Sequence, residues 1–216
     1  MSWSLNEVEG LARKAARGSG LSWGLSEEAG KSTRWLAQKG LPGPELLAQL
    51  LTQNQGTAYD ALCPVDISAE WRARDGSLCP IISGAVFCDH AAQLSGGEPV
   101  ALGPVSFPIL LLPFAAGAAS VTGQPIKASW SGTSVIIGAD GELQIDADDT
   151  LQTNRADAVQ LSACPDASGT QTAEISRYDI PEDTARVLGD FAHKTYAPET
   201  EESRLAGAGA GLTDND

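Results

Sequence analysis

Glu28, in the run "WGLSEEAGKSTRWL", is the side chain best placed for acid–base chemistry. On a helix it shares a face with Trp35, at the boundary between core and solvent. A carboxylate beside an indole loses water, and lost solvation raises a carboxyl pKa toward the range useful to a general acid or base. The position equally suits a boundary glutamate whose head reaches water. Trp23 and Gly24 stand at the start of the same helix, where bare backbone N–H groups can hold an anion. Arg17, on the turn before, adds positive charge. Arg34 is a second cation, but it faces away from Glu28 by roughly 120°. Arg17 is therefore the better partner for an anionic substrate. Trp23 is either a wall of such a site or a plug over the helix start.

The chain ends "SRLAGAGAGLTDND". Gly207, Gly209 and Gly211 follow G-x-G-x-G spacing, which is not the dinucleotide fingerprint; that motif also needs a strand before it and a helix after. Two uses remain, beside a solvated tail. Unhindered N–H groups can approach an anion with help from Arg204. Asp214 and Asp216 can offer oxygens to a hard cation. In the first reading the tail closes over the Trp23–Glu28 site as a lid.

Other chemistries find little support. There is no G-x-S-x-G elbow, no G-x-x-x-x-G-K-[ST] loop and no H-E-x-x-H pair. Cys88 and His90 share a face only on strand spacing, and without a C-x-x-C the expectation is no metal and no cofactor. Cys63, Cys79 and Cys164 each precede proline and read as buried cysteines at turns.

These side chains need elements to hold them. Ser4-Leu5-Asn6-Glu7 is a capping box. Leu5, Val8, Leu11, Ala12 and Ala15 recur after it at helical spacing, and Gly18 and Gly20 stop the helix. A second helix starts between Ser22 and Leu25 and ends at Gly40. Leu25, Ala29, Ser32 and Leu36 form its core face, and Glu27–Lys31 is an i,i+4 pair worth about 0.3–0.5 kcal/mol. Ser26, Gly30, Thr33 and Ala37 make a stripe of small residues. Gly30 costs about 1 kcal/mol against alanine, which points to close approach of a backbone or a ligand. A third helix has Pro44 at its start and Leu46, Leu47, Leu50 and Leu51 as its buried stripe.

Beyond Ala61, β-prone runs alternate with turns: "PIKASWSG", "TSVIIG", "ELQID", "DAVQLSA" and "TAEISRYD". Trp71 to Ile81, around Asp75-Gly76, reads as a hairpin. "ILLLPFAAGAAS" suits a strand or a helix that Pro113 would kink. "PEDTARVLGDFAHKTY" is a helix with Pro181 at its first position and Ala185, Leu188, Ala192 and Thr195 inward. The expectation is a single α+β domain over 1–216. A helical part (1–56) packs on a mainly β part with an antiparallel sheet (61–180), followed by C-terminal helices (181–206) and a tail (207–216).

The 216 residues carry a net charge of −14. Residues 1–40 hold six basic and four acidic side chains, whereas residues 140–216 hold five and seventeen. Such acidity disfavours nucleic acid and anionic membrane as partners. The basic start and acidic end can also attract one another, within the chain or across a homodimer. "MSWSLNEVEG" has neither the basic nor the apolar part of a signal peptide. "VSFPILLLPFAAGAASV" is too short and too proline-rich to span a membrane comfortably. The chain is read as a soluble, cytoplasmic protein. Its four cysteines are too sparse for a disulfide scaffold.

The stretch "SLNEVEGLARKAARGSGLSWGLSEEAGKSTRWLAQKGLPG", with "LCP", "PILLLPF" and the ending "TYAPETEESRLAGAGAGLTDND", resembles an uncharacterised bacterial family, a domain of unknown function. The resemblance implies a free-standing metabolic protein in which the N-terminal helices and the tail are part of the pattern. It implies no activity or catalytic residue. Two functions stay open: a small-molecule enzyme acting on an anionic metabolite, or a non-catalytic ligand-binding or assembly protein.

Overall fold

A computed structural model describes residues 2–92, 98–147, 149–165 and 173–196. A short strand β1 (Ser2–Ser4) runs into α1 (Leu5–Gly18). The capping box forms as expected: the Ser4 hydroxyl accepts from the Glu7 N–H, and the Glu7 carboxylate accepts from the Ser4 N–H at 2.8 Å. Next come α2 (Trp23–Gln38) and α3 (Gly43–Gln53), with Leu46, Leu47, Leu50 and Leu51 all buried. A single turn α4 (Tyr59–Leu62) leads to α5 (Pro80–Asp89).

Small residues set the distances in this layer. Ser26, Gly30, Thr33 and Ala37 are buried where α2 meets α1. A Cβ on Gly30 would stand 3.0 Å from the Glu9 carbonyl oxygen and 3.0 Å from the Arg13 Cβ. The mid-helix glycine therefore serves approach of a neighbouring backbone. The polar members bond locally: Thr33 Oγ1 donates to the Ala29 carbonyl at 2.7 Å and Ser26 Oγ to the Ser22 carbonyl at 2.7 Å. That satisfies two hydroxyls which would be costly to bury bare.

The second half carries the sheet. β2 (Val100–Leu102), β4 (Ile126–Trp130), β5 (Thr133–Ile137), β6 (Leu143–Ala147) and β8 (Val159–Ala163) make a five-stranded antiparallel sheet in the order β2-β8-β4-β5-β6. β3 (Val105–Ser106) pairs with β7 (Arg155–Ala156). Ile126, Ala128 and Trp130 of β4, and Thr133, Val135 and Ile137 of β5, point inward, the period-2 pattern of a sheet with one covered face. The helix α6 (Leu112–Thr122) lies on that face, after a 3₁₀ turn over Pro108–Leu111. The ambiguous run "ILLLPFAAGAAS" is thus helical, and Pro113 begins α6 rather than kinking it. Phe107, ahead of the turn, has φ 45° and is buried. One continuous apolar core joins α1, α2, α3, α5, α6 and the sheet.

The chain returns to its start. β9 (Arg177–Asp179) pairs antiparallel with β1, and α7 (Glu182–His193) packs across α1. The fold is α+β, as the sequence indicated. Among the described residues, no helix is long and apolar enough to cross a membrane.

Several local expectations are corrected. Trp71 to Ile81 is not a hairpin. Trp71 bridges Leu102 and Leu78 bridges Val105, both parallel, while Ile81 is inside α5. The segment 61–180 holds buried helices α5 and α6 as well as strands. In α7, Pro181 is the cap and not the first helical residue. The buried side chains are Leu188, Phe191 and Ala192, while Thr195 lies past the helix end and is exposed. Lys31 pairs with Glu28 rather than with Glu27. Of the three cysteines before prolines only Cys79 is buried; Cys63 and Cys164 are partly exposed.

One ion pair links the N-terminal helical part to the segment before β9. Lys39 Nζ, with its side chain only 6 % exposed, pairs with Glu174 at 2.8 Å. Tyr178 Oη donates to both Glu45 oxygens at 3.0 and 3.1 Å, tying β9 to α3. Burial pushes the Glu45 carboxyl above its usual pKa, against the pull of its own N–H and of Tyr178. The folded pKa then exceeds the unfolded one. Ionisation of Glu45 opposes folding above that range, and the penalty disappears as pH falls below it. Glu45→Gln, which still offers Tyr178 an acceptor, is expected to raise the melting temperature at pH 7 by about 1–2 °C. The gain should vanish below about pH 4. Thermal melts at pH 7 and pH 3.5 check this; a gain that persists at pH 3.5 refutes the account.

Candidate functional site

The corner between α1 and α2 brings Arg17 and Trp23 together. The Arg17 guanidinium lies 4.8 Å from the Trp23 ring centroid and donates to the Leu21 carbonyl at 2.8 Å. Trp23 is 69 % exposed, so the stack is a surface feature worth about 0.5–1 kcal/mol. Ser22 caps α2 by accepting from the Leu25 N–H. Gly24 is exposed, and a Cβ there would meet nothing within 4 Å.

The other candidates have separate partners. Glu28 is 40 % exposed and paired with Lys31 at 2.9 Å, a contact that raises the Lys31 pKa. Arg34 bonds Glu9 of α1 at 2.9 Å. Trp35 carries the Lys39 ammonium at 5.8 Å from its ring centroid. Arg204, Gly207, Gly209, Gly211 and Asp214 lie outside the described residues. Cys88 Sγ–H donates to the Phe114 carbonyl at 3.2 Å, and burial pushes the thiol up to about 11. His90 Nδ1 lies 2.8 Å from the Val86 carbonyl. Among the described residues, no group of three or more His, Cys, Asp or Glu could hold a metal ion.

The concavity nearest the start of α2 takes none of these side chains. It is a cleft of about 290 Å³. Ser19, Gly20 and Leu21 of the α1–α2 corner form one side, and the end of α3 with the segment from Gly56 to Leu62 forms another. Its floor is Leu50, Leu51, Cys79 and Ile82, all buried. Asn54, Thr57 and Tyr59 supply polar groups to the lining, and Tyr59 is 54 % exposed. No Asp, Glu, Lys, Arg or His lines the cleft.

Its titratable groups are held neutral. Burial, followed by the nearby Cys63 and Cys79 thiols, pushes the Tyr59 phenol up. Complete burial pushes the Cys79 thiol up to about 11, against weak help from the Ile82 and Ile81 N–H groups. A protonated thiol and a protonated phenol are poor nucleophiles and poor bases at neutral pH. The cleft offers apolar surface with amide, hydroxyl and phenol groups, the composition of a binding pocket at the small end of the usual ~300–1,000 Å³ range.

The sequence signals for this cleft were present but scattered. Leu50 and Leu51 read as the buried stripe of the third helix, and Cys79 reads as a buried cysteine at a turn. What joins them is the start of α5, where the Cys79 N–H donates to the Leu62 carbonyl at 3.0 Å.

The architecture defines an α+β protein whose helical layer carries a small neutral cleft. The sequence model of the family described as Protein of unknown function (DUF3726) matches residues 3–76. That span covers β1 to α4 and every lining residue of the cleft except Cys79 and Ile82. It stops before the sheet. No curated protein matches the chain.

Proposed function

We propose that the protein is a non-catalytic binder of an uncharged small molecule, held in the cleft between the α1–α2 corner, α3 and the 56–62 segment. The observation that carries this reading is the lining: apolar floor, neutral polar groups, no charged side chain. A ligand with an aromatic or branched aliphatic body would bury it against Leu50, Leu51 and Ile82. One hydroxyl or amide on it would meet Asn54, Thr57 or Tyr59. An ionised ligand would lose its hydration without gaining a counter-charge, a cost far above the 1.4 kcal/mol of a tenfold change in affinity. The acid–base reading of Glu28 has less support, because its carboxylate is well exposed and already paired with Lys31.

Ligand-observed NMR with p-cresol and its charged counterpart p-hydroxybenzoate tests the reading. The neutral probe is expected to bind at least about tenfold more tightly. Ala58→Trp puts a large ring on an exposed lining position and should abolish binding while leaving the melting temperature within about 2 °C. Equal binding of the two probes, or p-cresol binding unaffected by Ala58→Trp, overturns the proposal.

A further inference from the structure

We propose that Cys63 and Cys79 form a reversible disulfide under peroxide, fastening the α4 turn to the start of α5. The placement comes from the backbone. The Cys79 N–H donates to the carbonyl of Leu62, the residue bonded to Cys63, at 3.0 Å. Standard bond lengths along that path put the two Cα atoms within about 7 Å of each other. Disulfides need about 4.4–6.8 Å, so little backbone motion is required.

A second observation places the thiols in one neighbourhood. Tyr59, one helical turn before Cys63, lines the same cleft as Cys79, and its phenol pKa is raised by burial first and then by both cysteines. Cys88, by contrast, lies at the far end of α5, about 13 Å along the axis from Cys79. Its thiol is bonded to the Phe114 carbonyl.

The two sulfurs differ in a way that divides the labour. Cys63 is partly exposed and its Sγ–H points to the Asp60 carbonyl at 3.7 Å, a weak bond that holds it loosely. Cys79 is 2 % exposed and occupies the N-cap position of α5. Solvent oxidants reach the first and not the second. The Cys63 thiolate attacks one oxygen of hydrogen peroxide. The O–O bond breaks, Cys63 becomes a sulfenic acid, and the departing hydroxide takes back from solvent the proton the thiol lost on ionising and leaves as water. The Cys79 sulfur then attacks the Cys63 sulfur, its proton passing to the departing sulfenic oxygen; because burial keeps that thiol protonated, this is the slow step. An S–S bond forms, the S–O bond breaks, and the hydroxide leaves as a second water with the Cys79 proton. Two thiols lose two electrons in all, and one peroxide gains them.

The bond would close a loop that includes Trp71 and stiffen the wall of the cleft formed by Tyr59 and Leu62. Its formation does not depend on the ligand proposed for the cleft, so the two readings stand or fall separately.

The test is peroxide titration of the reduced full-length chain. The expected result is a drop from four titratable thiols to two in denaturant and an intact mass lower by about 2 Da. A Cys63–Cys79 cross-linked peptide should be recovered, and reductant should reverse all three changes. Closing this loop should raise the melting temperature by about 5 °C or more. Cys63→Ser should retain all its remaining thiols. Cys79→Ala, which avoids burying a bare hydroxyl, should instead trap Cys63 as a sulfenic acid that dimedone captures. Four thiols persisting, a cross-link to Cys88 or Cys164, or sulfinic acid at Cys63 of the unsubstituted chain without any cross-link would overturn the proposal.

Discussion

Gly18→Ala is expected to destabilise the protein by about 3 kcal/mol or more, a large share of the ~5–15 kcal/mol typical of a folded domain. A Cβ at Gly18 would overlap the Phe191 carbonyl oxygen and stand 2.8 Å from its carbonyl carbon. Those atoms are backbone in the last turn of α7, where the Phe191 carbonyl accepts from the Lys194 N–H, so no side chain can rotate to make room. α7 must lift away from α1 and give up the burial of Leu188, Phe191 and Ala192. The melting temperature should fall by roughly 6–12 °C. Gly189→Ala, on α7 itself, is the matched control. Nothing lies within 4 Å of its Cβ position, and alanine is the better helix former, so that variant should be neutral or stabilised by up to about 1 kcal/mol. Urea unfolding of the pair decides the matter. Equal stability of the two variants would mean that α7 does not seat on Gly18.

Trp71→Ala should cost about 3–5 kcal/mol, the usual result of emptying a buried tryptophan site. Trp71 is 3 % exposed and joins the segment after α4 to the edge of the sheet. Its N–H donates to the Ala101 carbonyl at 2.8 Å, and its own carbonyl accepts from the Gly103 N–H at 2.8 Å. The indole Nε1–H donates to the Ile67 carbonyl at 3.2 Å. Trp71→Phe keeps most of the apolar contact and loses that one bond, so it should cost much less than the alanine variant. Denaturant melts of both variants check this. A loss under about 1 kcal/mol for Trp71→Ala would show that the site collapses without consequence.

Legibility in the sequence followed the range of the interaction. The Ser4–Glu7 box, the ends of α2 and the leucine stripe of α3 are set by residues within a turn or two of each other, and all were readable. So were the pleated runs around Ala128, Val135 and Leu161, because a half-covered sheet imposes alternation on each strand alone. Asp75-Gly76 misled for a physical reason. A turn is present there, with Gly76 at φ 74°, but its flanks bond to β2 and β3 rather than to each other. Turn residues specify that the chain bends, not which backbone it meets next.

The candidate site divides in the same way. Arg17 and Trp23 are six residues apart across one corner, and their proximity could be read directly. The cleft required Leu51 and Ile82 to be neighbours, which only the packed core decides. Lys31 took Glu28 as its partner because both i,i+3 and i,i+4 spacings bring side chains together on a helix, and sequence alone does not choose between them.

Pairing of β1 with β9 has a consequence for how the chain is made. Ser2–Ser4 are made well before their hydrogen-bonding partners, Arg177–Asp179, which come about 175 residues later. At about 5–20 residues per second, β1 waits on the order of 10 s or more for its strand to exist. During that interval α1, α2 and α3 can associate through near-neighbour contacts, while the Gly18 groove stays empty. The arrival of β9 and α7 then closes this early-made edge with a segment made much later.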